Sequence, residues 1–184
     1  MTVTPPAVAL ALGGGAALGW AHIGVVRTLV ERGVRIDAVA GTSIGAVVAA
    51  CLAADKLDAL EDLARSATAL TVLRYLDVSF RGGVLGGRTI ERQLRRHFGN
   101  LRLEDLALPC ATVAADLISG AEVVLRDGPV VEAVRASLAI PGIFKPVLRD
   151  GRMLADGGLV NPVPVSAARQ LSACPVVAVN LQGD

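Results

Sequence analysis

Two glycine motifs, one strand–helix–strand unit apart, constrain this chain more than any other feature. Gly13-Gly14-Gly15-Ala16-Ala17-Leu18-Gly19 follows the apolar run Ala7 to Leu12, and Gly41-Thr42-Ser43-Ile44-Gly45 follows a second run, Val34 to Ala40. Each motif stands where a strand pattern gives way to a helix pattern. Backbone N–H groups in a glycine loop that opens a helix face an anion. A Gly-x-Ser-x-Gly turn between strand and helix lifts a serine above the sheet. Together they offer a nucleophile and an oxyanion cradle, the minimum kit for acyl transfer.

The order strand, glycine loop, helix (Ala17 to Arg32), strand, serine turn, helix (Ile44 to Ala54) is a parallel α/β unit. The second helix is almost wholly apolar, so it belongs inside. Further on, Asp58 to Ala69 reads as an amphipathic helix, Phe80 to Arg88 as an exposed loop and Thr89 to Phe98 as a basic helix. Cys110 to Leu117 and Ala121 to Leu125 read as a hairpin, Val130 to Leu138 as a helix, and Val147 to Leu154 as a second hairpin. Pro162 to Leu171 reads as a helix capped by Asn161, and Pro175 to Leu181 as a closing buried strand. At 184 residues the chain suits one domain, 7–184, after a short tail at 1–6. Hydrophobic residues make up 53% but aromatics only 3%, so the core is Ala, Val and Leu. The expected architecture is a three-layer α/β fold, a mostly parallel central sheet with helices on both faces.

Several function classes drop out. A net charge of +1 gives no attraction to nucleic acid. Cys51, Cys110 and Cys174 are odd in number and widely spaced, so reduced thiols in a cytoplasm are expected, with no metal or organic cofactor. The uncharged stretches before Arg27 and from Ala38 to Ala54 read as buried core, since prolines and glycines interrupt one and the other is short for a bilayer. A dinucleotide fingerprint needs glycine where Leu18 stands, and the Walker lysine is absent. Of the three readings of the glycine loop (phosphate cradle, oxyanion holder, simple turn), the oxyanion reading fits best.

A serine nucleophile needs a base. His22 lies about two turns past the loop and reads as a core histidine; His97 sits among Arg92, Arg95 and Arg96 and reads as solvated. Asp156 is the better candidate. It follows an apolar strand and precedes Gly157 and Gly158, which permit close backbone approach. The bland alternative is an Asp-Gly-Gly turn. Asp116 reads as structural. The Arg88 to Arg102 arginines read as a solvated face, with transient contact to anionic lipid as the rival. Leu73, Tyr75, Leu76, Val78 and Phe80 are equally well a lid for acyl chains or ordinary core.

Four motifs in order carry a family resemblance from Ala9 to Leu181. They are Gly13 to Gly19 with Trp20-Ala21-His22-Ile23-Gly24-Val25, Gly41-Thr42-Ser43-Ile44-Gly45-Ala46, Ala136-Ser137-Leu138-Ala139-Ile140-Pro141-Gly142, and Asp156-Gly157-Gly158-Leu159-Val160-Asn161-Pro162-Val163-Pro164. The chain resembles the bacterial patatin-like phospholipases. The resemblance implies a serine lipid acyl hydrolase with Ser43 as nucleophile and Asp156 as base. Gly14, Gly15 and Ala16 are then the oxyanion donors, with Gly13, Gly19, Gly41, Gly45, Gly157 and Gly158 shaping loop and elbow. A lipid or other acyl ester is the implied substrate, handled in the cytoplasm or at a membrane surface. Two departures stand out. Leu18 replaces the usual Arg or Lys, and Ala16 replaces a glycine. Many relatives also continue past the strand that precedes Asp184, so a C-terminal segment is expected there in other members. The rival readings are a non-catalytic lipid or partner binder, and a thioesterase or acyltransferase with the same dyad.

Overall fold

The computed structural model describes residues 6–66 and 86–183, with side chains described from residue 89 in the second stretch. Period-two alternation sorts the central strands into two faces. In β1 (Ala7–Leu12), Ala9 and Ala11 face one way and Leu10 and Leu12 the other. In β2 (Arg35–Thr42), Ala38 and Ala40 join the alanine face while Val39 joins the leucine face. The alanine face packs against Ala167 and Ala168 of a short helix, Val165–Leu171. Small side chains let that helix lie close to the strands. The opposite face takes the larger cluster and most of the helices: α1 (Ala21–Glu31), α2 (Ile44–Ala53), α3 (Leu57–Ser66), α4 (Gly86–Phe98) and α5 (Val130–Ser137). The Val165–Leu171 helix is α6.

The remaining strands are β3 (Cys110–Asp116), β4 (Glu122–Leu125), β5 (Val147–Arg149), β6 (Arg152–Asp156) and β7 (Val176–Val179). The sheet runs β5-β6-β3-β2-β1-β7, with β4 also on β3. Strands β3-β2-β1-β7 are parallel; β4, β6 and β5 add an antiparallel extension. The fold is therefore α/β, a mixed and mostly parallel sheet with helices around it.

The pairing at β3 positions the site. Val113 pairs with Thr42 of β2 and with Val124 of β4; Ala114 pairs with Asp156 of β6 and with Val123 of β4. Strand β4 pairs with Thr112 to Ala115 along one edge of β3, so β2 and β6 share the other edge end to end. Because β2 is parallel to β3 and β6 antiparallel, their C-terminal ends converge there. The residue after β2 is Ser43 and the last residue of β6 is Asp156.

Four expectations need correction. Residues 86–88 open α4 rather than closing a loop; residues 80–85 lie outside the described residues, as do the proposed lid positions and tail residues 1–5. Helix α6 starts at Val165, not Pro162; the Pro162 carbonyl accepts the Gly14 N–H and so is not free to open a helix there. Strand β7 is half-buried rather than buried, since β1 is its only partner among the described residues. His97 is half-buried too.

Candidate active site

Ser43 sits at the turn between β2 and α2 with φ 55 and ψ −123, a region costly for any residue with a side chain. Two close approaches force the turn. A Cβ on Gly41 would stand 2.2 Å from the Gly45 carbonyl oxygen, and one on Gly45 would stand 2.1 Å from that of Leu12. Neither position accepts a side chain, so α2 begins directly against the ends of β1 and β2. The strained turn is held from below. The Ser43 N–H donates to Ser137 Oγ at 2.8 Å, and the Ser137 hydroxyl donates to the Val113 carbonyl at 2.6 Å. Ser137 is wholly buried. From the side, Thr42 Oγ1 donates to the Asn161 carbonyl at 2.9 Å.

The convergence of β2 and β6 brings the two candidate residues into contact. The Ser43 hydroxyl donates to Asp156 Oδ2 at 2.6 Å, and Gly158 N–H donates to Asp156 Oδ1 at 2.7 Å. Both side chains lie in buried residues, 8% and 6% exposed, so the bond is shielded from competing water. Burial raises the Asp156 carboxyl above the ordinary aspartate range, against the opposing pull of the Ser43 and Gly158 bonds. Gly157 is again a steric requirement, with a Cβ there 2.2 Å from the Val113 carbonyl oxygen.

The glycine loop crosses above Ser43, where the Cβ that Gly14 lacks would lie 3.6 Å from Ser43 Cβ. It is tied down at three points. Gly13 N–H donates to the Val179 carbonyl at 3.0 Å, Gly14 N–H donates to the Pro162 carbonyl at 2.9 Å, and His22 Nε2 lies 2.7 Å from the Gly13 carbonyl oxygen. Gly14 N–H is thus committed within the protein, which does not fit the oxyanion role expected for it. Gly15, Ala16 and Ile44 have N–H groups without an acceptor among the described residues. Gly19 lets the loop sit on the elbow, since a Cβ there would run into Ile44. Ala16, where the resemblance expects glycine, takes φ 48. Leu18 is 62% exposed.

His22 touches the loop after all. Side chains on a helix lean toward its N-terminus, so His22 reaches back across the distance that helical rise alone suggests. A carbonyl accepts only, so Nε2 carries the proton. Nδ1 then stands as a bare, buried acceptor with no partner among the described residues. Burial pushes the imidazole below its ordinary value, outweighing the Gly13 bond, and keeps it neutral. Asp116 does not reach the site. It closes the β3–β4 turn by accepting from Ile118 N–H and Ser119 Oγ. In the arginine-rich region, Arg95 pairs with Glu91 and Arg102 with Glu104, so its net positive field is reduced.

Ser43 opens onto a cavity of about 250 Å³, otherwise lined by apolar side chains, among them Trp20, Ile44, Val47 and Phe144. Sequence reasoning did not find Ser137, the Ile44 N–H or this cavity. Ser137 lay within a quoted motif but carried no role; the elbow geometry itself is the signal for the Ile44 N–H, the donor that follows a nucleophile. No group of three or more His, Cys, Asp or Glu side chains suited to a metal occurs among the described residues. No helix among them is long and apolar enough to cross a membrane.

The family model for patatin-like phospholipases matches residues 10–169. An uncharacterized NTE family protein of Mycobacterium tuberculosis is 45% identical over 179 residues, covering 97% of this chain and 50% of that protein. Patatin-like phospholipase domain-containing protein 6 of Homo sapiens is 35% identical over 187 residues, covering 97% of this chain and 14% of that protein. The crystal structure of VipD from Legionella pneumophila superposes with a TM-score of 0.58 at 16% identity, over 87% of this chain and 47% of that one, a likeness of fold. The chain spans about half the length of the first of these relatives. The chain belongs to the patatin-like phospholipase family.

Proposed function

We propose that this chain is a serine lipid acyl hydrolase working through a Ser43–Asp156 dyad. The observation that carries the reading is the 2.6 Å bond to a buried carboxylate from the hydroxyl of Ser43, a residue that lines an apolar cavity. Asp156 takes the Ser43 proton as Oγ attacks the ester carbonyl carbon. Negative charge moves to the carbonyl oxygen, where the N–H groups of Gly15, Ala16 and Ile44 stabilise it. The C–O bond to the alcohol then breaks, and the alcohol leaves with the proton held by Asp156. Water next attacks the acyl-Ser43 ester and gives its proton to Asp156. Collapse of the second tetrahedral intermediate releases the fatty acid, and the proton returns to Ser43.

Burial of Asp156 supports this role, because a carboxylate with a raised proton affinity is a stronger base than a solvated one. His22 supports it indirectly: its bond to Gly13 fixes the loop whose next peptides carry the donors. The apolar cavity beside Ser43 supports an acyl chain as the part of the substrate bound there. Hydrolysis of p-nitrophenyl butyrate tests the reading. The parent turns it over and Ser43→Ala loses at least about a thousandfold in kcat/KM. A folded parent that cleaves no acyl ester removes the hydrolase and leaves a lipid-binding protein.

A further inference from the structure

We propose that the Ser43 cavity continues along α2 into a second chamber, and that the side chains at their junction set the acyl-chain length. The inference rests on the reading of Ser43 as the acylated residue. The second cavity, of about 70 Å³, is lined by Cys51, Lys56, His97 and Phe98 together with Val47, Leu60, Leu63 and Leu94. Those last four line the Ser43 cavity as well. They therefore stand between the two spaces. Leu60 and Leu94 are buried, so they form a fixed wall; Val47 is half-buried and comes from α2, the helix that Ser43 opens.

Ile44, Val47 and Cys51 lie three and four residues apart and share one face of α2. Helical rise sets Cys51 roughly 10 Å beyond Ile44 along the axis. A chain esterified to Ser43 is thus led along this face, past Val47 and toward Cys51. Burial pushes the Cys51 thiol up to about 12, so it presents a neutral, apolar surface there. Lys56 and His97 mark the far limit, where a hydrocarbon end would have to displace polar groups from water. A short chain fits in the first chamber. A longer chain has to pass the junction, so Val47 meters it.

Two substitutions of opposite sign test this. Val47→Ala widens the junction and Val47→Leu narrows it. For p-nitrophenyl laurate against octanoate, the ratio of kcat/KM rises about tenfold in Val47→Ala and falls about tenfold in Val47→Leu. A variant that merely folds poorly loses both esters together and leaves its ratio unmoved. Binding is read separately in Ser43→Ala through Trp20, which lines the first chamber and is the sole tryptophan of the sequence. Titration of its emission with laurate and octanoate gives an affinity ratio that moves in the same two directions. Shifted Trp20 ratios in a protein that cleaves no ester uphold the channel and overturn the hydrolase reading. In variants whose Tm matches that of the parent, ester and emission ratios that stay fixed, or that move the same way in both, overturn the channel.

Discussion

Ser43 carries a backbone strain worth roughly 1–3 kcal/mol, and the fold tolerates it because Ser137 bonds its N–H. Ser137→Ala leaves that buried N–H and the Val113 carbonyl without their partner. The expected cost is about 1–3 kcal/mol in urea denaturation, with kcat reduced at least about tenfold and KM little changed. Full activity in this variant would contradict a positioning role. Asp156 carries the opposite lesson, a carboxyl group whose burial works against stability. Its folded-state pKa is raised, so the folded state holds the proton more tightly than the unfolded chain does. Stability is therefore lost as pH climbs from the ordinary aspartate value, about 3.9, and the penalty is complete once pH exceeds the folded value. Asp156→Asn has no charge to bury. Its Tm at neutral pH exceeds that of the parent, and the gain disappears once pH falls below the unfolded value. A Tm equal to the parent's at every pH counts against the burial effect.

At the scale of elements, close backbone approach decides which glycines matter. Gly45→Ala drives a Cβ against the Leu12 carbonyl and costs about 3 kcal/mol or more. Gly24, inside α1, has nothing within 4 Å of the missing Cβ, so Gly24→Ala gains about 0.5–1 kcal/mol from helix propensity. Chemical denaturation of the two variants should show opposite signs. Much of this scale was legible in the sequence. Strand β1 matches its apolar run, and the serine turn falls between β2 and α2 as Gly41 and Gly45 required. The misreadings have a common cause in long-range contacts. Pro162 suits the first turn of a helix locally, but its carbonyl is claimed by Gly14. The run of apolar residues in β7 resembles a central strand, yet among the described residues only β1 pairs with it. Helical rise alone makes His22 remote from the loop; the lean of its side chain toward the helix N-terminus closes the distance.

For the whole molecule, the decisive feature is the shared edge of β3, where the ends of β2 and β6 meet. No local pattern encodes it. Asp156 was legible as a candidate base from its strand-then-glycines setting and from the family resemblance, whereas its register opposite Ala114 depends on the whole sheet. The same long-range assembly lays the glycine loop over Ser43 and hides Ser137 beneath it, which is why the support under the elbow escaped sequence reasoning. The apolar cavity begins from this junction too, since α2 starts there and carries Ile44 and Val47 into its lining. The direct test of the account is the rate of covalent labelling by a fluorophosphonate, with the adduct located by mass spectrometry, in the parent and in Asp156→Asn. The account predicts a single adduct on Ser43 in the parent and a labelling rate at least about a hundredfold lower in folded Asp156→Asn. Equal rates in the two proteins, or an adduct at any residue other than Ser43, would contradict it.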